Sequence, residues 1–494
     1  MRLIKNTRKP LHFLRIYNEP VSNYSTPAFL FITLAVTMDY QNYFKGKKIT
    51  IMRIGLLGRG VGDAAYMAEM GAQITVVDDA PQEQMQPSVD TLIEYGNIEF
   101  KFGPYDFEDF KNADFIWVGA GAPMEEPVLN KCRESGIRLV QSAALFAEIS
   151  KVPIIGVTGT RGKSTVTAMI HHALSVVTGE EILLGGNVRG VSNLQLLKKV
   201  TPDSLCVMEL DSWQLQGWGW AKMSPQIAVF TNFMEDHLNY YEKGGKSREE
   251  ALELYFADKA NIFLYQEESG VLVTTPEVWE MAGRFAAGRD ITLGQEVKLV
   301  DASVLPKDTL LSMPGEHNRL NAALAYEALK AVSLTDDEIF PALASFPGVE
   351  GRLQKVGEVA GVSIYNDNNA TTPAATAAGL KAVAEGKNVV LLTGGSDKNL
   401  PIEMLVEEIE KSCAHVILYS GTGTEKLKAA LPPSVSREEH AVFKDAIEAL
   451  FVTSVSGNVA LFSPAFASFG TEFRNEYDRN DMFVRAVAER TGGV

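Results

Sequence analysis

The chain has 494 residues, 46% hydrophobic and 22% charged, with 46 Lys and Arg against 62 Asp and Glu for a net charge of −16. That length allows about three domains with sizeable cores, and the acidic balance excludes a non-specific nucleic-acid or anionic-membrane surface, so a bound anion needs a local site. Cys132, Cys206 and Cys413 lie far apart without CxxC spacing, which argues against a disulfide framework or zinc knuckle and for a reducing cytoplasm.

Residues 1–37 are basic and irregular, with an apolar stretch from Ala28 to Val36 that is too short to span a bilayer. No small-residue cleavage site follows, so the segment reads as a disordered extension or as sequence ahead of a start at Met38. From Lys48 short β-branched runs alternate with helical segments, the pattern of parallel α/β domains. Three blocks emerge: 38–150, 151–345 and 346–494. The first contains "KITIMRIGLLGRGVG", a helix to about Met70, "AQITVVDD", a helix near Thr91 to Tyr95, "DFIWVGAG" and "IRLVQSAALF". Its GxxGxG from Gly55 to Gly60 is not the dinucleotide fingerprint GxGxxG, which argues against a nicotinamide cofactor.

The second block opens on "KVPIIGVTGTRGKSTVT", a buried strand, a turn of small residues and a helix. Gly159, Thr160, Arg161, Gly162, Lys163, Ser164 and Thr165 form a phosphate-binding turn: backbone N–H groups can curl around a phosphate at the helix N-terminus. Lys163 can reach the outer phosphates, and Ser164 or Thr165 can hold Mg2+. The strict P-loop would place glycine where Val157 stands. "MELDSWQLQ" puts Glu209 at a strand end, and "TNFMEDHLNYY" puts Glu235, Asp236 and His237 just past "IAVF", where ligands collect in open α/β sheets. A helix spans about Glu249 to Tyr265, and Lys259 on it reads, from its own pattern, as a surface lysine. After Pro-Gly punctuation at Met313 to Gly315 and a helix near Asn321 to Ala331, the third block holds "GVSIYNDNN", "NVVLLTGG", "HVILYSG" and "NVALFSP".

"GTRGKST", "ELDSWQL", "NFMEDHLNYY", "FADKANIF", "GEHNRLNAALA", "GRLQKV", "NDNNATTPAA", "LLTGGSDKN" and "SPAFASF" occur in the order expected of the Mur ligases, ATP-dependent amino-acid ligases of peptidoglycan precursor synthesis, and the chain resembles that family from about Met38 to its end. The resemblance implies a Rossmann-like N-terminal domain, a central P-loop ATPase-like domain and a Rossmann-like C-terminal domain in a cytoplasmic monomer. It implies UDP-N-acetylmuramoyl-L-alanine and glutamate, D-glutamate foremost, as substrates. UDP-substrate binding then falls to Gly58, Gly60 and Val61, to Asp78 or Asp79, and to Gly121 and Asn187 in "GAGAPMEEP" and "GGNVRG". ATP is implied for the phosphate turn with Asn321, Arg352 and Asp367. Catalysis falls to Lys163, Glu209, His237 and Lys259; two Mg2+ ions are implied, with Ser164, Glu209, His237 and Lys259 as ligands, the lysine as its carbamate. Thr371, Lys398 and Ser468 are implied for the glutamate carboxylates.

Some residues depart from the family pattern. "NDSKATN" is "NDNNATT" here, so Asn369 replaces a lysine, and "ELSSFQL" is "ELDSWQL", which introduces Asp211. The stretch before Arg479 is one residue longer, which leaves the aromatic backbone contact open between Phe473 and Tyr477. Two other classes remain: a ligase like folylpolyglutamate synthase, against which the 48–150 segment argues, and a non-ligase P-loop ATPase, which leaves "NDNNATTPAA" and "SPAFASF" unexplained.

Overall fold

Three sheets organise the computed structural model, which describes residues 39–491 apart from 57, 312, 469–471 and 474. The expected extension 1–37 and the candidate start at Met38 lie outside the described residues. The first sheet joins β1 (Lys48–Met52), β2 (Gln73–Asp78), β3 (Ile98–Phe102), β4 (Phe115–Val118) and β5 (Arg138–Val140) in the order β3-β2-β1-β4-β5, all parallel. Chain order reverses between β1 and β4, so the crevice beyond their carboxyl ends is where an open α/β sheet takes a ligand. The turns carrying Gly58 and Gly121 emerge at those ends.

The second sheet is β6 (Ile154–Thr158), β7 (Leu183–Gly186), β8 (Cys206–Glu209), β9 (Ile227–Phe230), β10 (Val271–Thr274) and β11 (Glu296–Leu299), parallel in the order β11-β10-β9-β6-β8-β7. β6, β8 and β9 are buried at every position, as expected of runs without polar alternation in a sheet covered on both faces. The third sheet is β12 (Gln354–Val359), β13 (Val362–Asn366), β14 (Val389–Gly394), β15 (Cys413–Tyr419), β16 (Arg437–His440) and β17 (Val459–Ala465), in the order β12-β13-β17-β14-β15-β16, with β12 antiparallel at the edge.

Packing divides the chain into two compact units. The first comprises the described residues up to Val304 with Asn321–Ala342 and holds the first two sheets; the second comprises Leu305–Leu320 and Leu343–Val494 and holds the third. The α/β class is as expected. The helix expected near Thr91 to Tyr95 instead runs Gln82–Leu92. Met85, Val89 and Leu92 bury a stripe at helical spacing, and that stripe outweighs Pro87 inside the helix. Among the described residues, no helix is long and apolar enough to cross a membrane.

Within the first unit a buried carboxylate ties the Arg59–Glu69 helix to the loop before residues 194–199. Asp63, fully buried, accepts from Ser192 Oγ at 2.5 Å and from the Leu194 N–H at 3.1 Å. Burial pushes its pKa up, opposed by these hydrogen bonds and one from Ser142. Asp63→Ala strands the buried Leu194 N–H and is expected to destabilise the unit by about 1–3 kcal/mol, the cost of an unmet buried donor, whereas Asp63→Asn keeps an acceptor oxygen and loses less. Urea unfolding of the full chain checks this; an Asp63→Ala variant as stable as the parent contradicts it.

Candidate active site

β6 sits between β9 and β8, so the turn after Thr158 opens at the middle of the second sheet. Gly159 has φ of 142°, and a Cβ there would lie 2.0 Å from Thr231 Oγ1; at Gly162, φ is 83° and a Cβ would lie 2.4 Å from Asn321 Oδ1. Only glycine fits at either place. The loop is fastened to the end of β9: the Thr160 N–H donates to the Asn232 carbonyl at 2.9 Å, the Arg161 N–H to Asn232 Oδ1 at 2.9 Å, and Thr231 Oγ1 to the Arg161 carbonyl at 2.5 Å. Thr160 Oγ1 meets the Met234 carbonyl and N–H at 3.1 and 3.0 Å. The Lys163–Thr178 helix therefore starts with its N-terminal N–H groups beside a fixed turn, the arrangement that suits an anion. Ser164 and the buried Thr165 follow on its first turn.

Two amines converge on this turn. Lys163 Nζ donates to the Gly159 and Thr160 carbonyls at 2.9 and 3.0 Å, and Lys259 Nζ donates to the same Gly159 carbonyl at 2.8 Å. Lys259 is 1% exposed on the Arg248–Ala260 helix, with Nζ 4.9 Å from the centre of the Tyr255 ring. Burial, then the charge of Lys163, hold its pKa well below the ordinary lysine range, against the opposing fields of Asp211, Asp236 and Asp258. The surface placement expected from its own pattern is thus corrected: the polar edge of this helix is covered by the phosphate turn.

His237, with φ of 55°, packs its ring 4.8 Å from Trp213 and 6.0 Å from Tyr255. Burial is the main cause that lowers its pKa, joined by Lys163 and Lys259 and resisted by Asp236 and Asp211. Asp236 pairs with Arg161 at 2.9 Å; burial raises its pKa, but His237 and Arg161 outweigh that and leave it lowered. Glu235 points elsewhere, to Arg248. Asp211 caps the Ser212–Ala221 helix through the Gln214 N–H at 2.8 Å.

Glu209, at the buried end of β8, meets Asn187: the Asn187 N–H donates to its carbonyl at 2.7 Å and Nδ2 to Oε1 at 3.3 Å. Asn187 Oδ1 in turn accepts from Arg59, on the glycine turn of the first sheet. The residues expected near the diphosphate are thus linked to one expected near metal. Gly58 caps the Arg59–Glu69 helix, Gly60 and Val61 are buried on it, and Gly121 faces Trp213. Asp78, raised in pKa by burial, accepts from the Ala80 N–H; Asp79 pairs with Arg53 at 3.4 Å and accepts from Tyr105.

In the second unit, Lys398 Nζ donates to Thr371 Oγ1 at 2.9 Å, and buried Ser468 follows Ala467, which exchanges both backbone hydrogen bonds with Ser396 at 2.9 and 3.0 Å. Asp367 is buried and accepts from Ser463 Oγ at 2.8 Å and the Leu353 N–H at 3.0 Å; burial pushes its pKa up to about 7 against these bonds and the charge of Arg352. Arg352 lies on the turn closed onto Val349. Asn369 is exposed. Of the two aromatic candidates, Phe473 is buried against Phe443 and Tyr419, while Tyr477 stays partly exposed.

The family model for the Mur ligase middle domain matches residues 157–329, and that for the Mur ligase glutamate ligase domain matches 351–466. UDP-N-acetylmuramoylalanine–D-glutamate ligases of Roseiflexus sp. (strain RS-1) and Streptococcus pneumoniae (strain Taiwan19F-14) are 31% and 32% identical, over 90% and 92% of this chain and 99% of each relative. The chain belongs to the Mur ligase family. Solved structures agree in fold: the MurF ligase of Thermotoga maritima in complex with ADP has a TM-score of 0.55 at 15% identity, covering 92% of this chain and 96% of its own, and the UDP-N-acetylmuramate–alanine ligase MurC of Thermotoga maritima has 0.53 at 18%, covering 90% and 99%.

Sequence reasoning about this Mur ligase passed over Arg59, Asn232 and Trp213. Arg59 was legible as the one cation inside the glycine turn; Asn232 and Trp213 carried no signal apart from their neighbours. Because the folded pKa of His237 lies below its unfolded value, protonation opposes the fold: its contribution is complete above about 6.5 and is lost as pH falls through the folded value. The His237 imidazole is therefore expected to titrate by NMR with a midpoint below 6.5, and a midpoint above that value contradicts the site as drawn.

Proposed function

We propose that this Mur ligase joins D-glutamate to UDP-N-acetylmuramoyl-L-alanine with ATP, releasing ADP and phosphate, in the cytoplasmic assembly of peptidoglycan precursor by a monomeric enzyme. The observation that carries the reading is the fixed phosphate turn with Lys163 on it, in a chain that matches named glutamate ligases over nearly their whole length. Residues 38–150 form the UDP-substrate domain, 151–345 the ATP domain and 346–494 the amino-acid domain.

Gly58, Gly60, Val61, Asp78, Gly121 and Asn187 hold the nucleotide-sugar substrate, and the Gly159–Thr165 turn holds the ATP phosphates. Asn321, Arg352 and Asp367 are assigned to the nucleotide on the same resemblance. Lys163 exchanges its two carbonyl partners for phosphate oxygens and offsets their charge as the γ-phosphoryl passes to the substrate carboxylate, the bond to ADP breaking as the new O–P bond forms. The amine of glutamate then attacks the acyl carbon and gives up a proton; the C–N bond forms and phosphate leaves. Thr371, Lys398 and Ser468 orient glutamate by its carboxylates.

Mg2+ keeps waters and substrate oxygens in its shell and so asks few ligands of the protein. Ser164, Glu209 and His237 supply a hydroxyl, a carboxylate and a neutral imidazole for it, and Lys259 fits the carbamate: its buried amine has only a carbonyl as hydrogen-bond acceptor and a lowered pKa, and carbamylation needs a neutral amine. Bound there, two such ions would neutralise the anionic substrates.

An ADP-release assay with UDP-N-acetylmuramoyl-L-alanine and a panel of D- and L-amino acids tests the reading. D-Glutamate is expected to drive release, and Lys163→Ala to lower it on the order of 100-fold or more with an unchanged melting curve. ADP release indifferent to the amino acid, or near-normal turnover by Lys163→Ala, overturns it.

A further inference from the structure

Arg479, on the Glu476–Thr491 helix, is 0% exposed, and every hydrogen bond it makes goes to a neutral acceptor. Nε donates to Asn368 Oδ1 at 2.8 Å, Nη2 to the Asn368 carbonyl at 3.0 Å, and Nη1 to Tyr419 Oη at 3.0 Å and the Phe466 carbonyl at 3.4 Å. Its acceptors are a side-chain amide, a phenol and two backbone carbonyls, none of them a carboxylate. A buried guanidinium without a carboxylate is expensive, so its retention calls for a use of either its shape or its charge.

Its acceptors identify that use. Asn368 lies just past β13, Phe466 just past β17, and Tyr419 ends β15, all at the carboxyl edge of the third sheet. The loop after β13 continues to Thr371, and the loop after β17 continues to Ser468. Lys398 lies just beyond Ser396, which pairs with Ala467, and its Nζ reaches Thr371. One planar fork therefore fastens both loops that carry the proposed amino-acid ligands.

We infer that Arg479 is a positioning residue of the amino-acid site, which fixes these two loops through neutral acceptors and so places behind them a positive charge that favours an acidic amino acid. The inference rests on the proposed glutamate ligase activity. It predicts that a carboxylate placed against the guanidinium preserves the fold and weakens selection, an outcome that a purely structural arginine does not give.

The test compares Asn368→Asp, Arg479→Met and Arg479→Lys in the full chain by KM for glutamate and for ATP, by the preference for glutamate over glutamine, and by melting temperature. Asn368→Asp is expected to melt no lower than the parent, to raise the glutamate KM about 10-fold with the ATP KM within about twofold, and to lose preference over glutamine. Arg479→Met moves the same way and Arg479→Lys recovers part of the loss. If Arg479→Met does not fold, Asn368→Asp decides alone. An unmoved glutamate KM and preference in folded Asn368→Asp, or equal rises for ATP and glutamate, overturn the inference while active parent enzyme leaves the ligase reading standing. Parent enzyme with no glutamate-dependent ADP release overturns both.

Discussion

Two lysine amines share one carbonyl oxygen, that of Gly159, at 2.9 and 2.8 Å. The oxygen has two lone pairs and can accept both bonds, but two ammonium charges so close, one of them buried, repel one another with little water to screen them. The repulsion is relieved when Lys259 is uncharged, the direction in which burial and the charge of Lys163 move it. The second sheet keeps the amines together: β6 delivers the turn, the end of β9 pins it through Thr231 and Asn232, and the absence of a Cβ at Gly159 lets Thr231 close on it.

The second unit reaches a similar condition by another route. Asp367 and Arg479 are both buried at the carboxyl edge of the third sheet, where the hydrogen bonds of each go to neutral groups. Burial and neutral hydrogen bonds hold each of them in place. Asp367 answers to Ser463 and Leu353, whereas Arg479 answers to Asn368, Tyr419 and Phe466.

The strands and the glycine turn after β6 were legible because unbroken apolar runs and a small-residue turn each have a direct physical reading. Periodicity could not reveal the burial of Lys259, because the covering group is the phosphate turn some 100 positions away. The resemblance assigns Asp367 to the nucleotide, but its buried setting is not legible in the sequence because one partner, Ser463, is 96 positions away. Phe473 packs on Phe443, a contact that spacing near Arg479 does not encode. The Gln82–Leu92 helix was obscured by its prolines, although its buried stripe was present in the sequence.

The proposal that turns most on this geometry is that the buried Lys259 amine is neutral and takes up carbon dioxide. Carbon-13 NMR of the full chain in labelled bicarbonate tests it directly. The account predicts a lysine carbamate signal in the parent protein that disappears in Lys259→Ala and weakens in Lys163→Ala, which removes a charge that lowers the Lys259 pKa. A parent protein with no such signal, and with Lys259 titrating as an ordinary exposed lysine, would contradict it.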